Sequence, residues 1–259
     1  MLKKIILATA LVATASFATW DKFPVLENHK GQAVVGDYFR MQDKASADNA
    51  YIGARFTVIT GLELGMKLDY RMLSRYDGKD SDVDGLENIP LMFRYQFMPI
   101  MNAFLDVTLP VGSKEVVGED DPFVFHFGAQ YSQKFGMVNF GSEAGLQIET
   151  EGEDKTTPPW TLNLGAEADF EVNQMLTPYI GIDLYMLLGK TTYDGKNGDK
   201  DFTGDLLFKP YLGACIAFNQ MLSLDISASL LFGNSDAMHM KSWADETRTL
   251  IDVHLNVNF

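Results

Sequence analysis

Most of this chain reads at a period of two. Leu250 to Phe259 sets Ile251, Val253, Leu255, Val257 and Phe259 on one face and Asp252, His254, Asn256 and Asn258 on the other. Trp160 to Val172 does the same, with Leu162, Leu164, Ala166, Ala168 and Phe170 against Thr161, Asn163, Gly165, Glu167, Asp169 and Glu171. Leu222 to Phe232 alternates with Ser223, Asp225, Ser227 and Ser229, and Leu62 to Met72 with Glu63, Lys67, Asp69 and Arg71. Ile89 to Phe97 alternates with Arg94 and Gln96, and Phe123 to Tyr131 with His126 and Gln130. A two-residue period is the side-chain period of a β-strand with one apolar and one wet face. Helical 3.6-residue stripes are absent beyond the N-terminus, so the fold class is all-β. The runs are about ten residues long, which is what a tilted strand needs to cross a bilayer.

Composition alone hides this. The 259 residues are 46% hydrophobic with a mean hydropathy of −0.05. A helical membrane bundle is excluded, because no apolar run of about 18 residues occurs after the N-terminus. A transmembrane barrel is not, because its alternating strands average to a soluble-looking composition. A net charge of −14 argues against nucleic acid as a partner, which needs a basic face. The single cysteine, Cys215, excludes an internal disulfide framework and a cysteine-based zinc cluster.

Residues 1–18 have the three parts of a secretory signal: Lys3 and Lys4, the apolar Ile5 to Val12, and the small-x-small site Ser16-Phe17-Ala18. The expected organisation is a cleaved signal peptide over 1–18, a periplasmic leader over 19–31 and one barrel over 32–259.

Connections alternate between short and long. Tight turns fall at Thr60-Gly61, Met98 to Met101, Lys134 to Gly136, Asn173 to Leu176 and Asn219 to Leu222; the last two are the same tetrapeptide, Asn-Gln-Met-Leu. Polar loops fall at 74–87, 112–122, 150–159, 190–202 and 234–244. Strands are expected near 32–41, 50–59, 62–73, 88–98, 102–111, 123–133, 138–149, 160–172, 177–189, 203–218, 222–233 and 245–259. That gives an antiparallel up-and-down transmembrane β-barrel of about twelve strands, with ten or fourteen as alternatives. Asp37 and Arg40 break the alternation of the first strand. Phe97, Phe140, Phe170, Phe218 and Phe259 form one belt on the apolar face. Tyr70, Phe123, Trp160, Phe208 and Phe232 form another, as two membrane interfaces require.

The alternating run ending on Phe259 resembles the C-terminal strand of Gram-negative outer-membrane β-barrels. The resemblance implies an outer-membrane location, lipid and lipopolysaccharide around the barrel, and recognition of Phe259 by the barrel-assembly machinery. A monomer is expected. The wet face then lines the lumen. Strands two to four bring Arg55, Lys67, Arg71 and Arg94 to it, with Glu63 and Asp69 among them. The next strands bring Asp106 and His126. Strands seven to nine bring Glu143, Glu149, Glu167, Asp169, Glu171 and Asp183 with no base, and the following strands bring Lys209, Asp205 and Asp225. A basic wall facing an acidic wall sets a transverse field that sorts small solutes by size and sign. The alternative is a network of paired charges that plugs the interior. Inward Gly53, Gly65, Gly128, Gly141, Gly145, Gly165, Gly181 and Gly213 are expected to clear room for a cavity. Tyr51, Tyr179, Tyr185 and Tyr211 are expected to face that cavity.

Leu105-Asp106-Val107-Thr108-Leu109-Pro110-Val111-Gly112 resembles the strand-ending Leu-Pro-Thr-Gly pattern of outer-membrane transporters grouped with the phenol meta-degradation pathway proteins, with Val111 in place of Thr. That resemblance implies passage of small compounds and transfers no catalytic residue. Asp80, Asp82 and Asp84, followed by Gly85, match the opening of a calcium loop. The twelfth position is Leu91, and Glu87 is displaced by four, so a solvated acidic loop fits better than a calcium site. No other cofactor is expected. No Gly-x-Ser-x-Gly or His-Glu-x-x-His motif occurs. Ser142, the one lipid-facing strand serine, has no histidine placed beside it. The expected protein is therefore a channel and not an enzyme; the alternatives are a structural or surface-binding barrel with a plugged lumen and, behind it, a lipid-modifying outer-membrane enzyme.

Overall fold

A computed structural model describes residues 25–81, 83–118, 121–153, 155–233 and 247–259. The expected signal segment, residues 19–24 of the expected leader, Asp82 and the 234–244 loop lie outside the described residues.

Among the described residues the fold is a closed antiparallel β-barrel of twelve long strands, β1 to β12. They are β1 (Gly31–Gln42), β2 (Ala45–Ile59), β3 (Leu62–Tyr76), β4 (Ile89–Met98), β5 (Met101–Leu109) and β6 (Val124–Phe135). The second half is β7 (Val138–Glu149), β8 (Trp160–Phe170), β9 (Leu176–Leu188), β10 (Leu206–Ala217), β11 (Leu222–Gly233) and β12 (Arg248–Asn258). Each strand pairs with its sequence neighbours, and β12 closes on β1 in the register Gln32 to Asn258 through Gln42 to Arg248. Reciprocal backbone bonds between Gly31 and Phe259, of 2.8 and 2.9 Å, seal the seam. The packing is close there, because a Cβ on Gly31 would lie 2.5 Å from the Phe259 ring. Closure of β12 on β1 leaves the ring of twelve strands without an open seam, as a strand fold in hydrocarbon requires.

The period-two reading sets the faces. Leu64, Met66, Tyr70, Phe93, Tyr95, Phe127, Trp160, Leu164, Ile180, Leu212, Ile226, Val253 and Leu255 are exposed on the outside, while their polar neighbours are buried inside. An apolar exterior over charged buried residues inverts a water-soluble fold and matches a hydrocarbon surround. Phe97, Phe170, Phe218 and Phe259 stand exposed at one end and Tyr70, Phe123 and Trp160 at the other.

Two sequence expectations change at the outer end. The first outer connection is a two-residue turn at Asp43-Lys44, so β2 starts at Ala45 and not near 50 as expected. Asp43 takes the left-handed conformation (φ 50°) that such a hairpin needs. Several outer loops also carry structure of their own. Lys79–Ser81 extends the sheet from β3, and Thr156–Thr157, Lys190–Tyr193 and Lys196–Asp201 form a separate three-stranded sheet.

Candidate functional site: the barrel lumen

The predicted lumen residues that fall on strands lie on the inner face, which is crowded, whereas Glu171 and Asp205 lie just beyond the strand ends. Arg55, Lys67, Arg71, Arg94, Glu167, Asp169, Asp183, Lys209 and Asp225 are each no more than 8% exposed. Asp106, His126 and Glu143 form one cluster with Arg94. Arg94 holds Asp106 through Nη1 at 2.5 Å and Nη2 at 3.2 Å. His126 stands 3.8 Å from both Asp106 and Glu143.

The basic wall carries its own counter-ions. Arg55 pairs with Glu63 at 3.4 Å and Lys67 with Asp69 at 2.9 Å. Lys67 also sits 3.7 Å from the centre of the Tyr51 ring, a cation–π contact that helps hold a buried ammonium. Arg40 and Arg71 share one carboxylate oxygen, Glu87 Oε1, at 2.8 and 2.7 Å, and Asn49 donates to the same oxygen at 3.0 Å.

The acidic wall is built differently. Tyr179 donates to Asp225 at 2.6 Å, Gln130 to Glu143 at 2.7 Å and Asn139 to Asp169 at 3.2 Å. Lys209 reaches Asp183 at 3.7 Å. Carboxylates here are met mainly by phenols and amides, which stabilise the negative charge without cancelling it.

The glycines do not leave the space expected of them. A Cβ on Gly181 would collide with the Tyr211 ring, one on Gly213 with the Tyr179 hydroxyl, and one on Gly36 would sit 2.6 Å from Tyr51. The room that glycine clears is filled by the inward tyrosines. Free space collects instead at the periplasmic end, in a cavity of about 860 Å³ whose lining includes Arg55, Asp169, Glu171, Cys215, Asp225 and His254. The N-terminal leader reaches this mouth: the Leu26 N–H donates to Glu63 at 3.0 Å, and Thr57 Oγ1 donates to the Leu26 carbonyl at 2.9 Å. At the outer mouth the loop after β5 folds a short turn of helix, Lys114–Val117, with Val116 and Val117 buried. It is tied to the 85–88 segment by Ser113 N–H to Leu86 O at 2.8 Å and by Leu86 N–H to Ser113 Oγ at 2.9 Å.

Sequence reasoning missed three inner residues. Arg40, which broke the expected pattern of β1, is buried inside with Tyr38 and Val34, whereas Asp37 is the residue out of phase. Asp37 pairs across the sheet with Val253 on the lipid-facing side, near Asp48. Glu87 was placed in the outer loop; its backbone N–H bonds to Asp69 O at 2.9 Å, and this turns the carboxylate inward. Arg248 lies two residues before the final alternating run. Of the calcium candidates, Asp80 is paired with Arg75 at 2.7 Å and Asp84 accepts from Tyr70 at 2.9 Å. No cluster of three metal-ligating side chains occurs among the described residues. Ser142 pairs with Ala166 and Tyr131 across the sheet, and His126 and His254 are on the opposite face.

This architecture is that of the outer-membrane β-barrels, and comparison with solved structures agrees. The COG4313 outer membrane channel from Pseudomonas putida F1 superposes with a TM-score of 0.72 at 12% identity, covering 92% of this chain and 98% of that one. The translocator domain of the autotransporter NalP from Neisseria meningitidis gives 0.57 at 10% identity over 98% and 99% of the two chains. The NanC porin gives 0.52 at 7% identity over 87% and 98%. At these identities the likeness is one of fold. No protein-family model matches the sequence, and no curated protein matches it.

Proposed function

We propose that this protein is a passive outer-membrane channel for small solutes, sited in a Gram-negative outer membrane after export and signal cleavage. The observation that carries the reading is the pairing of an apolar exterior with an interior rich in charged and hydrogen-bonding side chains. A barrel that served only as an anchor has no use for buried Lys67, Glu167, Asp183 and Lys209, each costly to desolvate. Twelve strands leave less room than the wide sixteen-stranded porins, and the tyrosines narrow it further, so the path suits small molecules. The fold shared with the COG4313 channel supports this reading. The Leu105 to Gly112 segment supports placing the chain near the transporters of phenol meta-degradation. Assembly by the barrel-insertion machinery and a monomeric barrel within lipid and lipopolysaccharide follow from the same reading.

Liposome swelling tests it. Vesicles holding the refolded full chain should swell in small neutral and cationic solutes and stay intact in large oligosaccharides. Vesicles that behave like protein-free controls in every solute would refute the channel and favour a plugged barrel.

A further inference from the structure

Where the basic wall meets the outer mouth, three guanidiniums converge on too few carboxylates. Arg40, Arg71 and Arg248 all line one cavity of about 110 Å³, and all three are buried. Glu87 serves Arg40 and Arg71 through a single oxygen. Among the described residues Arg248 meets only the neutral Gln42, which accepts from its Nε at 2.9 Å and its Nη2 at 2.7 Å. Its Nη1 is buried without a hydrogen-bond partner, as are the Nε atoms of Arg40 and Arg71. Among the described residues, and counting the neighbouring Lys67–Asp69 and Arg75–Asp80 pairs, the cluster holds five bases and three acids, an excess of two positive charges. Buried donors of this kind are ordinarily paired, and a buried charge without a counter-ion is costly to desolvate. A fourth guanidinium in the lining, Arg75, is exposed and already paired with Asp80 at 2.7 Å, and Ala45, Ala47, Tyr76 and Val83 give the cavity an apolar wall.

We infer that this cavity is a binding site for a small carboxylate with an apolar body. The carboxylate takes the orphaned N–H of Arg248 together with a donor from Arg40 or Arg71, and the body lies against the apolar wall. Guanidinium suits this role because its donors are fixed in a plane that matches a carboxylate. The site rests on the channel reading for its place at the entrance of a solute path, but binding itself does not need the path to be open.

The test uses the refolded full chain, with butyrate as the probe and butyramide as its uncharged match. In planar bilayers butyrate added to the outer side should interrupt the current in a concentration-dependent way, and butyramide should not. Calorimetry on the protein in detergent micelles reads binding independently of conductance. Arg248→Gln should weaken butyrate about tenfold or more, the loss expected for one charge-assisted hydrogen bond. Arg248→Lys should fall between. Lys134→Gln, at the periplasmic end and paired with Glu171, should bind as the parent does. Equal response to butyrate and butyramide, or butyrate binding unchanged in a folded Arg248→Gln barrel, overturns the site. Butyrate binding with a silent membrane upholds the site and refutes the channel.

Discussion

The two walls of the lumen solve the same problem in opposite ways. On β1 to β5 nearly every base has a carboxylate within ion-pair distance on the same wall: Arg55 with Glu63, Lys67 with Asp69, Arg40 and Arg71 with Glu87, Arg94 with Asp106. On β7 to β11 the carboxylates lean on neutral donors, such as Tyr179 for Asp225 and Asn139 for Asp169. An ion pair neutralises charge and fixes structure; a phenol or amide donor leaves the charge in place. The basic wall is therefore mostly scaffold, and the acidic wall supplies the field that a permeating ion meets. The exception lies where this wall meets β12 at the outer end, where Arg248 has no carboxylate partner among the described residues.

This difference can be broken most severely at Glu87. Replacing it by Gln leaves Arg40 and Arg71 buried with no carboxylate between them, and should cost about 3 kcal/mol in urea unfolding from lipid vesicles. A loss below about 1 kcal/mol would show that water in the lumen, not Glu87, satisfies the two guanidiniums. Gly181→Ala drives a methyl into the Tyr211 ring, and about 2 kcal/mol is expected for such overpacking. Wild-type stability there would mean that the tyrosine rings move freely. Asp37→Leu places an apolar side chain on the lipid-facing side of β1 and should stabilise the barrel by about 1 kcal/mol; no gain would argue that Asp37 sits at the interface and not in hydrocarbon. The smallest effect is expected on the acidic wall. Asp225→Asn keeps an acceptor for the Tyr179 hydroxyl and should change stability by less than about 1 kcal/mol, a value to set directly against the Glu87→Gln result.

The fold was legible because period two carries both strand identity and facing. Once Leu255 is outside, Asn256 is inside, and twelve runs joined by tight and long connections close one barrel. What stayed hidden follows from the same dependence on phase. Arg40 and Asp37 are three apart, so they face opposite sides, and no local pattern says which one breaks the rule; the pairing of β1 with β12 decides it. Glu87 sits beyond the end of β3 in sequence, and only a backbone bond to Asp69 brings it inside. The tyrosine-filled glycine hollows join different strands, as with Tyr211 over Gly181 and Tyr179 over Gly213, which spacing within one strand does not reveal.

The central claim is that the acidic wall sets what passes. The most direct measurement is the reversal potential of single channels in planar bilayers under a potassium chloride gradient, for the wild type and for Glu167→Lys with Asp169→Lys. The account predicts discrete conductance steps, a cation preference in the wild type, and a shift of the reversal potential toward anions in the double variant. An unchanged reversal potential in a folded, conducting double variant, or a membrane that stays silent with the wild type, would contradict it.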